Sequence, residues 1–398
     1  MKHQLRKASI ELYRMLLRIW WPVLSVLPRR KNKRKVLVCA ESDLMVEHLM
    51  PVVDLVRGDP RLSLTFVSPS GIKDSGTTSE ALAGKMELPV CSYAVSRFRG
   101  WDLILFAEHA GVNQFSPHVA KLLVQHGFDS GKIFSGVDIR YSREFMYSSE
   151  TAKTPRYASM LEPSFVTQKR AVENDPQLEG RIAVVGDIGT DQMFAMNSRR
   201  QELRQRAGYS DTDVVVLVMG TWQEDSLMES IGEDIVANAL QLTSNYRFIF
   251  STHPRHWNGT YAEQHPWGRY LCEHEQEGLR VLRQSDSWDE AAVISDMAIS
   301  DHTSVGVKYA LLDKPLMYIS RRENLVSPGT FGHQLYEALP RLNAPAELGG
   351  LLSDVRRTYP FDQLKHIAKD INAFPGSAEE NVRTELYRLL DLSAPNAS

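Results

Sequence analysis

The stretch Ile299–Tyr318, ISDHTSVGVKYALLDKPLMY, has the pattern of a strand, a polar turn, a short helix and a second strand. An apolar run ends in the polar cluster Asp301–Ser304, and apolar residues then follow at helical spacing until Lys314-Pro315 ends the helix. Asp, Thr and Ser are good N-caps, and a helix N-terminus presents backbone N–H groups and a positive dipole end that suit a phosphate. The stretch therefore predicts a phosphate site at this turn. The alternative is that Asp301 and Thr303 only cap the helix.

The same alternation of strands and helices continues on both sides of this stretch. The predicted strands are Lys35–Ala40, Leu62–Val67, Asp102–Ala107, Val214–Met219, Tyr246–Ser251 and Leu279–Leu282. Between them lie helical patterns such as Leu44–Val56, Met228–Leu242 and Trp288–Ile294. Strands that alternate with helices predict parallel sheets covered on both faces. We expect an N-terminal arm at 1–34, Rossmann-like domains at 35–175 and 176–375, and a C-terminal helix and tail at 376–398.

The charge of the chain is distributed unevenly. The 398 residues have a formal net charge of −3, but residues 1–35 contain eleven Lys or Arg and one acidic residue. The rest of the chain therefore carries −13, which argues against nucleic-acid binding by the folded body. The three cysteines, Cys39, Cys91 and Cys272, are scattered and show no metal-binding or disulfide spacing. A reducing compartment is the simplest inference.

The N-terminal arm has an apolar run, Leu12–Leu27, between two basic clusters. Arg14 and Arg18 interrupt this run, which is shorter than the roughly 20 residues of a membrane span, and no signal-peptide cleavage pattern follows it. Apolar residues lie on one helical face, and Trp20 and Trp21 are suited to the headgroup level. These features predict that the arm forms a peripheral helix on the anionic cytoplasmic face of a membrane. The alternative is a basic helix docked on the body.

Polar turns follow the strands of both halves, and in open parallel sheets ligands bind beyond the carboxyl ends of strands. His126 before Gly127 and His253 before Pro254 are candidate proton-transfer residues, although an isolated His is also common in turns. Arg255 is suited to hold a phosphate or to form a solvated salt bridge. Asp211-Thr-Asp213 matches a metal-binding pattern of some sugar-nucleotide enzymes, but it precedes its strand, so we interpret it as a turn. No spacing predicts a zinc site, and we expect neither a metal nor a cofactor.

Taken in order, these turns resemble those of the CDP-glycerol glycerophosphotransferase family, which includes teichoic acid primases and polymerases. The resemblance runs from about residue 120 to 320. Its family patterns are His-Gly with a following Lys, Gly-Tyr-Pro-Arg-Asn-Asp, Pro-Thr-Trp-Arg, His-Pro, Thr-Asp-Tyr-Ser-Ser and Leu-Asp-Lys-Pro. The corresponding residues of this chain are His126-Gly127 with Lys132, Gly186–Asp191, Gly220–Gln223, His253-Pro254, Ser300–Ser304 and Leu312–Pro315.

The resemblance implies a GT-B fold, in which two Rossmann-like domains face each other across a cleft. It implies transfer of a polyol phosphate from a CDP-activated donor to a lipid-linked cell-envelope polymer, with CMP as the leaving group. The domain at 35–175 would hold the acceptor and the domain at 176–375 the donor. His126 would be the base, and His253 would stabilise the leaving phosphate or share the proton transfer. The sequence leaves open which histidine has which role. The substrate-binding residues implied are Gly127, Lys132, Asp191, Thr221, Trp222, Arg255, Asp301, His302, Thr303 and Ser304.

The chain departs from the family patterns at four of these positions. Gly189 and Gln223 stand where the family has arginines, which removes two bidentate phosphate partners. His302 and Thr303 replace a Tyr and a Ser, and the threonine keeps a hydroxyl. Three other interpretations stay open: a GT-B glycosyltransferase that uses a nucleotide sugar, a relative of UDP-sugar 2-epimerases, and a non-catalytic protein that binds an envelope polymer.

Overall fold

Two six-stranded parallel sheets form the protein, as seen in a computed structural model that describes residues 15–17, 19–23, 33–69, 79–109, 111–124, 127–134, 137–138, 140–149, 151–320 and 325–395. The strands of the N-terminal sheet are β1 Arg34–Cys39, β2 Leu62–Val67, β3 Leu103–Phe106, β4 Ala120–Val124, β7 Ser159–Glu162 and β8 Ile182–Val184. Those of the C-terminal sheet are β9 Val215–Met219, β10 Arg247–Ser251, β11 Leu279–Val281, β12 Met297–Ser300, β13 Leu316–Ile319 and β14 Arg341–Leu342. A small antiparallel pair, β5 Ile133–Phe134 and β6 Val137–Asp138, lies between β4 and β7 in the chain.

Helices connect the strands and cover the sheets. In the first half they are α1 Asp43–Asp54, α2 Ser79–Met86, α3 Tyr93–Ser96, α4 Arg143–Met146, α5 Phe165–Asn174, α6 Ile188–Asn197 and α7 Arg200–Arg206. In the second half they are α8 Leu227–Gln241, α9 Gly259–Gln264, α10 Trp267–Glu273, α11 Trp288–Ile294, α12 Ser304–Tyr309, α13 Phe331–Ala338, α14 Leu348–Thr358, α15 Phe361–Ala368 and α16 Ala378–Leu390. Short 3-10 turns occur at Val112–Gln114, Pro176–Leu178, Pro254–His256, Ala310–Leu312 and Pro345–Glu347.

The N-terminal sheet has the order β2-β1-β3-β4-β7-β8 and is buried on both faces. Because side chains alternate along a strand, Val36 and Val38 of β1 pack in one hydrophobic cluster, and Leu37 and Cys39 pack in another. This explains why the strand is a continuous apolar run in the sequence.

The C-terminal sheet has the order β11-β10-β9-β12-β13-β14, which is the Rossmann order 3-2-1-4-5-6. Its direction of strand succession reverses between β9 and β12, which are neighbours. Such a switch point leaves a crevice at the carboxyl ends of the two strands. The turn after β9 begins at Gly220 and the turn after β12 begins at Asp301, so the stretch Ile299–Tyr318 lies at this crevice.

The division between the two halves of the chain differs from the expected boundary at residue 175. Strand β8 pairs with β7, so the N-terminal sheet extends to Val184. The final helix, α16, packs on the same sheet, since Val382 and Leu386 belong to the cluster that contains Val36. Sequence periodicity shows that these elements exist, but it does not show which sheet they join.

Lys314 of the Leu-Asp-Lys-Pro segment has a structural role that its sequence position did not indicate. Its ammonium donates to the carbonyl oxygens of Ala292, Val293 and Ser295 at 3.0, 2.6 and 2.8 Å. These carbonyls lie at the end of α11, where the last turn of a helix has no intrahelical donors. Lys314 therefore holds α11 against the start of β13.

Part of the N-terminal arm is described, at residues 15–17 and 19–23, and it is helical. The indole N–H groups of Trp20 and Trp21 donate to the carbonyl oxygens of Phe98 and Arg97 at 2.9 and 3.1 Å, so this part of the arm docks on the body. Four apolar side chains nevertheless stay exposed, by 41 to 62%: Met15, Leu16, Ile19 and Val23. None of the helices in the described part of the chain is both long and apolar enough to cross a membrane.

Candidate active site

The loop that follows β4 reaches from the N-terminal sheet to the C-terminal domain. Within this loop, residues 127–134, the Ile133 N–H donates to the Leu325 carbonyl at 3.0 Å, and the Ser327 N–H donates to the Gly131 carbonyl at 2.7 Å. The loop leaves the carboxyl end of its strand and meets the carboxyl ends of β9 and β12. The two sheets therefore direct their carboxyl edges toward each other, the arrangement in which ligands bind between domains.

Gly127 lies in close contact with the opposite domain, at the start of α12. A methyl group placed on it would lie 2.5 Å from the Ser304 Oγ and 2.9 Å from the Ser304 Cβ. Its φ of +79° is also in the left-handed region that favours glycine. A residue with a side chain at this position would push the loop away from the start of α12. The close contact with Ser304 thus explains why a glycine follows His126, which the sequence pattern alone does not show.

Asp301 joins the two strand-end turns at the switch point. Its carboxylate is 2% exposed and accepts hydrogen bonds from the N–H groups of Thr221 and Leu227, each at 2.8 Å to Oδ2. Burial raises the pKa of Asp301 to about 6, against the lowering effect of these backbone hydrogen bonds and of Lys132. The carboxylate therefore shapes the turn after β9 from the neighbouring strand.

Lys132 brings a positive charge to the same turn from the opposite domain. Its ammonium donates to the Thr221 Oγ1 at 2.9 Å and to the Trp222 carbonyl at 3.3 Å. Burial lowers the pKa of Lys132 to about 8, while Asp301 opposes this shift and Arg255 adds to it. A buried ammonium whose charge is only partly balanced is suited to an anionic ligand.

The Trp222 ring contacts a second cationic group, Arg255, beside Lys132. The Arg255 guanidinium lies 4.0 Å from the centre of the Trp222 ring, and the Lys132 ammonium lies 5.2 Å from it. The ring of His253 is 5.9 Å from the same indole, and its Nδ1 accepts a hydrogen bond from the Arg255 N–H at 3.2 Å. Tyr261 packs edge-on against Trp222 at 5.4 Å. This surface combines positive charge with flat rings, which suits a nucleotide.

Two buried ion pairs support the loop from behind. Arg140 donates to the Gly127 carbonyl at 3.2 Å and to the Glu162 carboxylate at 3.0 Å, and Glu162 is fully buried at the end of β7. Arg170 pairs with Asp129 at 2.5 Å. None of these four residues belongs to a recognisable motif, so they were not predicted from the sequence. Their only sequence signal is a charged residue at the end of a buried strand, as at Glu162.

The structure brings together Gly127, Lys132, Thr221, Trp222, His253, Arg255, Asp301 and Ser304 among the residues selected from the sequence. His302 is buried beside Asp301, and Thr303 occupies the N-cap position of α12 without a capping hydrogen bond from its side chain. Asp191 is engaged elsewhere. Its carboxylate accepts from the N–H groups of Gly376 and Ala378 at 2.6 and 3.0 Å and so holds the start of α16. His126 lies outside the described residues.

The family model of CDP-glycerol:poly(glycerophosphate) glycerophosphotransferase matches residues 98–322 of the chain. The chain belongs to this family. The resemblance noted in the sequence is thereby confirmed, and the protein is an enzyme of the CDP-glycerol glycerophosphotransferase type. The match includes every turn of the cleft described above, and it begins only after β1 and β2.

Solved structures with the same architecture support the GT-B fold. The H444N variant of the wall teichoic acid polymerase TagF has a TM-score of 0.65 and 13% identity, over 98% of each chain. The S. aureus MnaA–UDP structure has a TM-score of 0.58 and 12% identity, over 92% of this chain and 99% of that one. The UDP-GlcNAc 2-epimerase of Neisseria meningitidis has a TM-score of 0.52 and 12% identity, over 89% of this chain and 100% of that one. No curated protein matches the sequence. At these identities the likeness shows the fold, and the predicted GT-B fold is confirmed.

Proposed function

We propose that this enzyme transfers glycerol phosphate, or a similar polyol phosphate, from a CDP-activated donor to a hydroxyl of a lipid-linked cell-envelope polymer. The main observation in its support is that the Lys132 ammonium is hydrogen-bonded to the Thr221–Trp222 turn of the opposite domain, beside Arg255 and Ser304. Two cationic groups and a helix start form a surface for the donor pyrophosphate. Membership of the family supports CDP as the activating group.

In the proposed reaction, the acceptor oxygen forms a bond to the β-phosphorus, and the bond from that phosphorus to the bridging oxygen breaks. The bridging oxygen and its electron pair leave with CMP, and His126 takes the proton of the acceptor hydroxyl. His253 stabilises the leaving phosphate, while Lys132, Thr303 and Ser304 donate to the other phosphate oxygens. Such a reaction depends mainly on positioning and on charge stabilisation.

Donor screening with the purified protein tests this proposal. We expect CMP release from CDP-glycerol or CDP-ribitol in the presence of a lipid-linked primer, and no turnover in His126→Ala or His253→Ala, both of which should stay folded. Release of UDP from a sugar donor would favour a glycosyltransferase, and epimerisation of a UDP-sugar would favour the epimerase alternative. A protein that binds the primer without turning over any donor would be the non-catalytic alternative.

Donor binding should take up protons near pH 8. Burial lowers the pKa of Lys132 to about 8 in the unliganded protein, so about half of the ammonium is deprotonated at that pH. A bound pyrophosphate favours the charged form and raises this pKa, which requires proton uptake. Calorimetry of CDP-glycerol binding in two buffers of different ionisation enthalpy measures the uptake. Lys132→Met should abolish it and weaken binding roughly tenfold to a hundredfold.

The matched control for this experiment is Lys153→Met, because Lys153 is an exposed lysine of the same domain. It should bind the donor as the wild type does, with the same proton uptake. Equal uptake in Lys132→Met would show that Lys132 does not contact the pyrophosphate.

We further propose that the N-terminal arm holds the enzyme on an anionic membrane, near a lipid-linked acceptor. The exposed side chains of Met15, Leu16, Ile19 and Val23 support this, since an apolar face next to basic clusters suits an anionic interface. Arg34 belongs to β1, so a truncation should end at Asn32. We expect removal of residues 1–32 to abolish sedimentation with phosphatidylglycerol vesicles and to leave the body folded, with a melting temperature lowered only by the loss of the Trp20 and Trp21 contacts.

A variant with Met15→Ser and Ile19→Ser provides the finer control, because it keeps every basic residue and both Trp contacts. It should sediment less than the wild type at physiological salt. If the truncated protein still sedimented with the vesicles, another surface would be the membrane contact.

A further inference from the structure

The carboxyl edge of the N-terminal sheet carries a second polar group, formed by Glu41, Glu108 and His109. Glu41 follows β1, and the other two residues follow β3. The two strands are neighbours, and Cys39 is paired in register with Phe106. Glu41 and Glu108 each come two residues after this pair, so both continue from the same level of the sheet toward the cleft. The order of strands in the sheet reverses between β1 and β3, which makes this a switch point of the N-terminal domain.

Glu41 has hydrogen-bonding capacity that the described part of the protein does not use. The residue is 7% exposed, and neither of its carboxylate oxygens has a hydrogen-bond partner among the described residues. Buried carboxylates are normally paired or hydrogen-bonded, because desolvation of an unpartnered one is costly. Burial raises the pKa of Glu41 to about 7, and the Glu108 carboxylate adds to this shift. A ligand that donates hydrogen bonds would offset the cost.

The surroundings of Glu41 indicate the chemistry of such a ligand. A methyl group on Gly111 would lie 3.8 Å from the Glu41 Oε1 and 3.3 Å from the Tyr93 hydroxyl, so the glycine keeps the space between these groups open. The His109 Nδ1 is hydrogen-bonded to the Tyr157 hydroxyl at 2.8 Å, which fixes its ring. Two neighbouring carboxylates repel phosphates and accept hydrogen bonds from hydroxyls. Within the described residues no cluster of His, Cys, Asp or Glu has the composition of a metal site.

The position of Glu41 and Glu108 relative to the cleft indicates that their ligand is the acceptor. Strand β3 pairs with β4, whose following loop carries Gly127 and Lys132. Adjacent strands are about 4.8 Å apart, so Glu41 and Glu108 lie within one or two strand spacings of the β4 strand end. Both lie on the domain opposite the turns assigned to the donor.

We propose that Glu41, assisted by Glu108, binds the terminal polyol of the acceptor by accepting hydrogen bonds from its hydroxyls. The ligand class is an uncharged polyol end with adjacent hydroxyl groups, such as the last glycerol of a glycerol phosphate chain. This inference rests on the proposed function and extends it to the acceptor side. Glu41 precedes the residues matched by the family model, so the family assignment says nothing about it.

The test measures polyol binding without any donor. The probe is a synthetic tri(glycerol phosphate) with a free terminal glycerol, and binding is followed by saturation-transfer NMR on the full-length protein. Glu41→Gln keeps the shape of the side chain but presents an amide in place of one acceptor oxygen. It should weaken probe binding roughly tenfold to a hundredfold, while the affinity for CDP-glycerol stays within about twofold of the wild type. Glu179→Gln, an exposed change in the same domain, should leave both affinities unchanged.

If Glu41→Gln fails to fold, Glu108→Gln takes its place as the test variant, and it should weaken probe binding severalfold. The proposal is overturned if the folded variant binds the probe as tightly as the wild type, if the wild type does not bind the probe, or if donor affinity falls in parallel. A wild-type protein that binds the probe but not CDP-glycerol would refute the proposed function and leave the polyol site in place.

Discussion

Replacing Asp301 by alanine is expected to abolish donor binding and to lower the free energy of unfolding by about 2 to 5 kcal/mol. The substitution leaves the N–H groups of Thr221 and Leu227 without their acceptor in a buried position. The turn after β9 would then lose the contact that ties it to β12, and Thr221 would no longer be held under Lys132. Chemical denaturation measures the stability loss, and calorimetry with CDP-glycerol measures the binding loss.

Asp301→Asn should fall between the wild type and the alanine variant. An asparagine keeps one oxygen for the two N–H groups but places an amide group where the other oxygen accepts from Thr221. Asp211→Ala is the matched control, since Asp211 is exposed before β9 at the opposite edge of the same sheet. It should change the free energy of unfolding by less than about 0.5 kcal/mol and leave donor binding intact. Equal effects at the two positions would rule out the structural role of Asp301.

Replacing Gly127 by alanine is expected to lower kcat by about a hundredfold, the size of effect that a displacement near 1 Å produces in a positioned reaction. The new methyl group would lie 2.5 Å from the Ser304 Oγ and 2.9 Å from the Ser304 Cβ. Rotation of the serine hydroxyl would therefore not relieve the clash. The loop that carries Lys132 would have to move away from the donor turns. Single-turnover kinetics with CDP-glycerol and a primer measures the change.

Gly180→Ala separates the steric effect from the backbone effect. Gly180 has a φ of +69° and no atom within 4 Å of an added methyl group, so it shares the left-handed strain of Gly127 without the collision. Both variants should lose about 1 kcal/mol of stability through the backbone. Only Gly127→Ala should lose activity. Comparable activity in the two variants would show that the approach of the loop to Ser304 is not needed for catalysis.

The sequence was sufficient for the fold class and for the elements that surround the cleft. Helix α11 has the predicted bounds Trp288–Ile294, and helix α16 lies within the predicted C-terminal segment 376–398, because hydrophobic periodicity is a local property. Strand β8 nevertheless lies beyond the expected boundary at residue 175 and pairs with β7, and helix α16, expected in a separate C-terminal segment, packs on the same N-terminal sheet. Their periodicity is the same whichever sheet they join, and only their packing on the N-terminal sheet decides the matter.

The candidate site divides in a similar way. The turns after β4, β9, β10 and β12 are recognisable in the sequence because polar residues directly follow apolar runs. Asp191 was selected by the same pattern, yet its carboxylate serves the N-terminus of α16, which lies almost two hundred positions further along the chain. Arg140 and Glu162 were missed because a supporting ion pair has no local signature. Glu41 was missed because a single buried carboxylate after a strand looks like any other strand end.

The stretch Ile299–Tyr318 separates what the sequence determines from what only the tertiary structure decides. By itself the sequence determined that this stretch is a strand, a polar turn and a helix, and that it stands in a series of strand-end turns. Only the tertiary structure decided that Asp301 holds the Thr221 turn and that Gly127 and Lys132 meet this turn from the other domain. The reason is that Lys132 and Thr221 are 89 residues apart, and no local pattern encodes the contact between them. Sheet order and the facing of the two carboxyl edges create it, and both are properties of the whole folded chain.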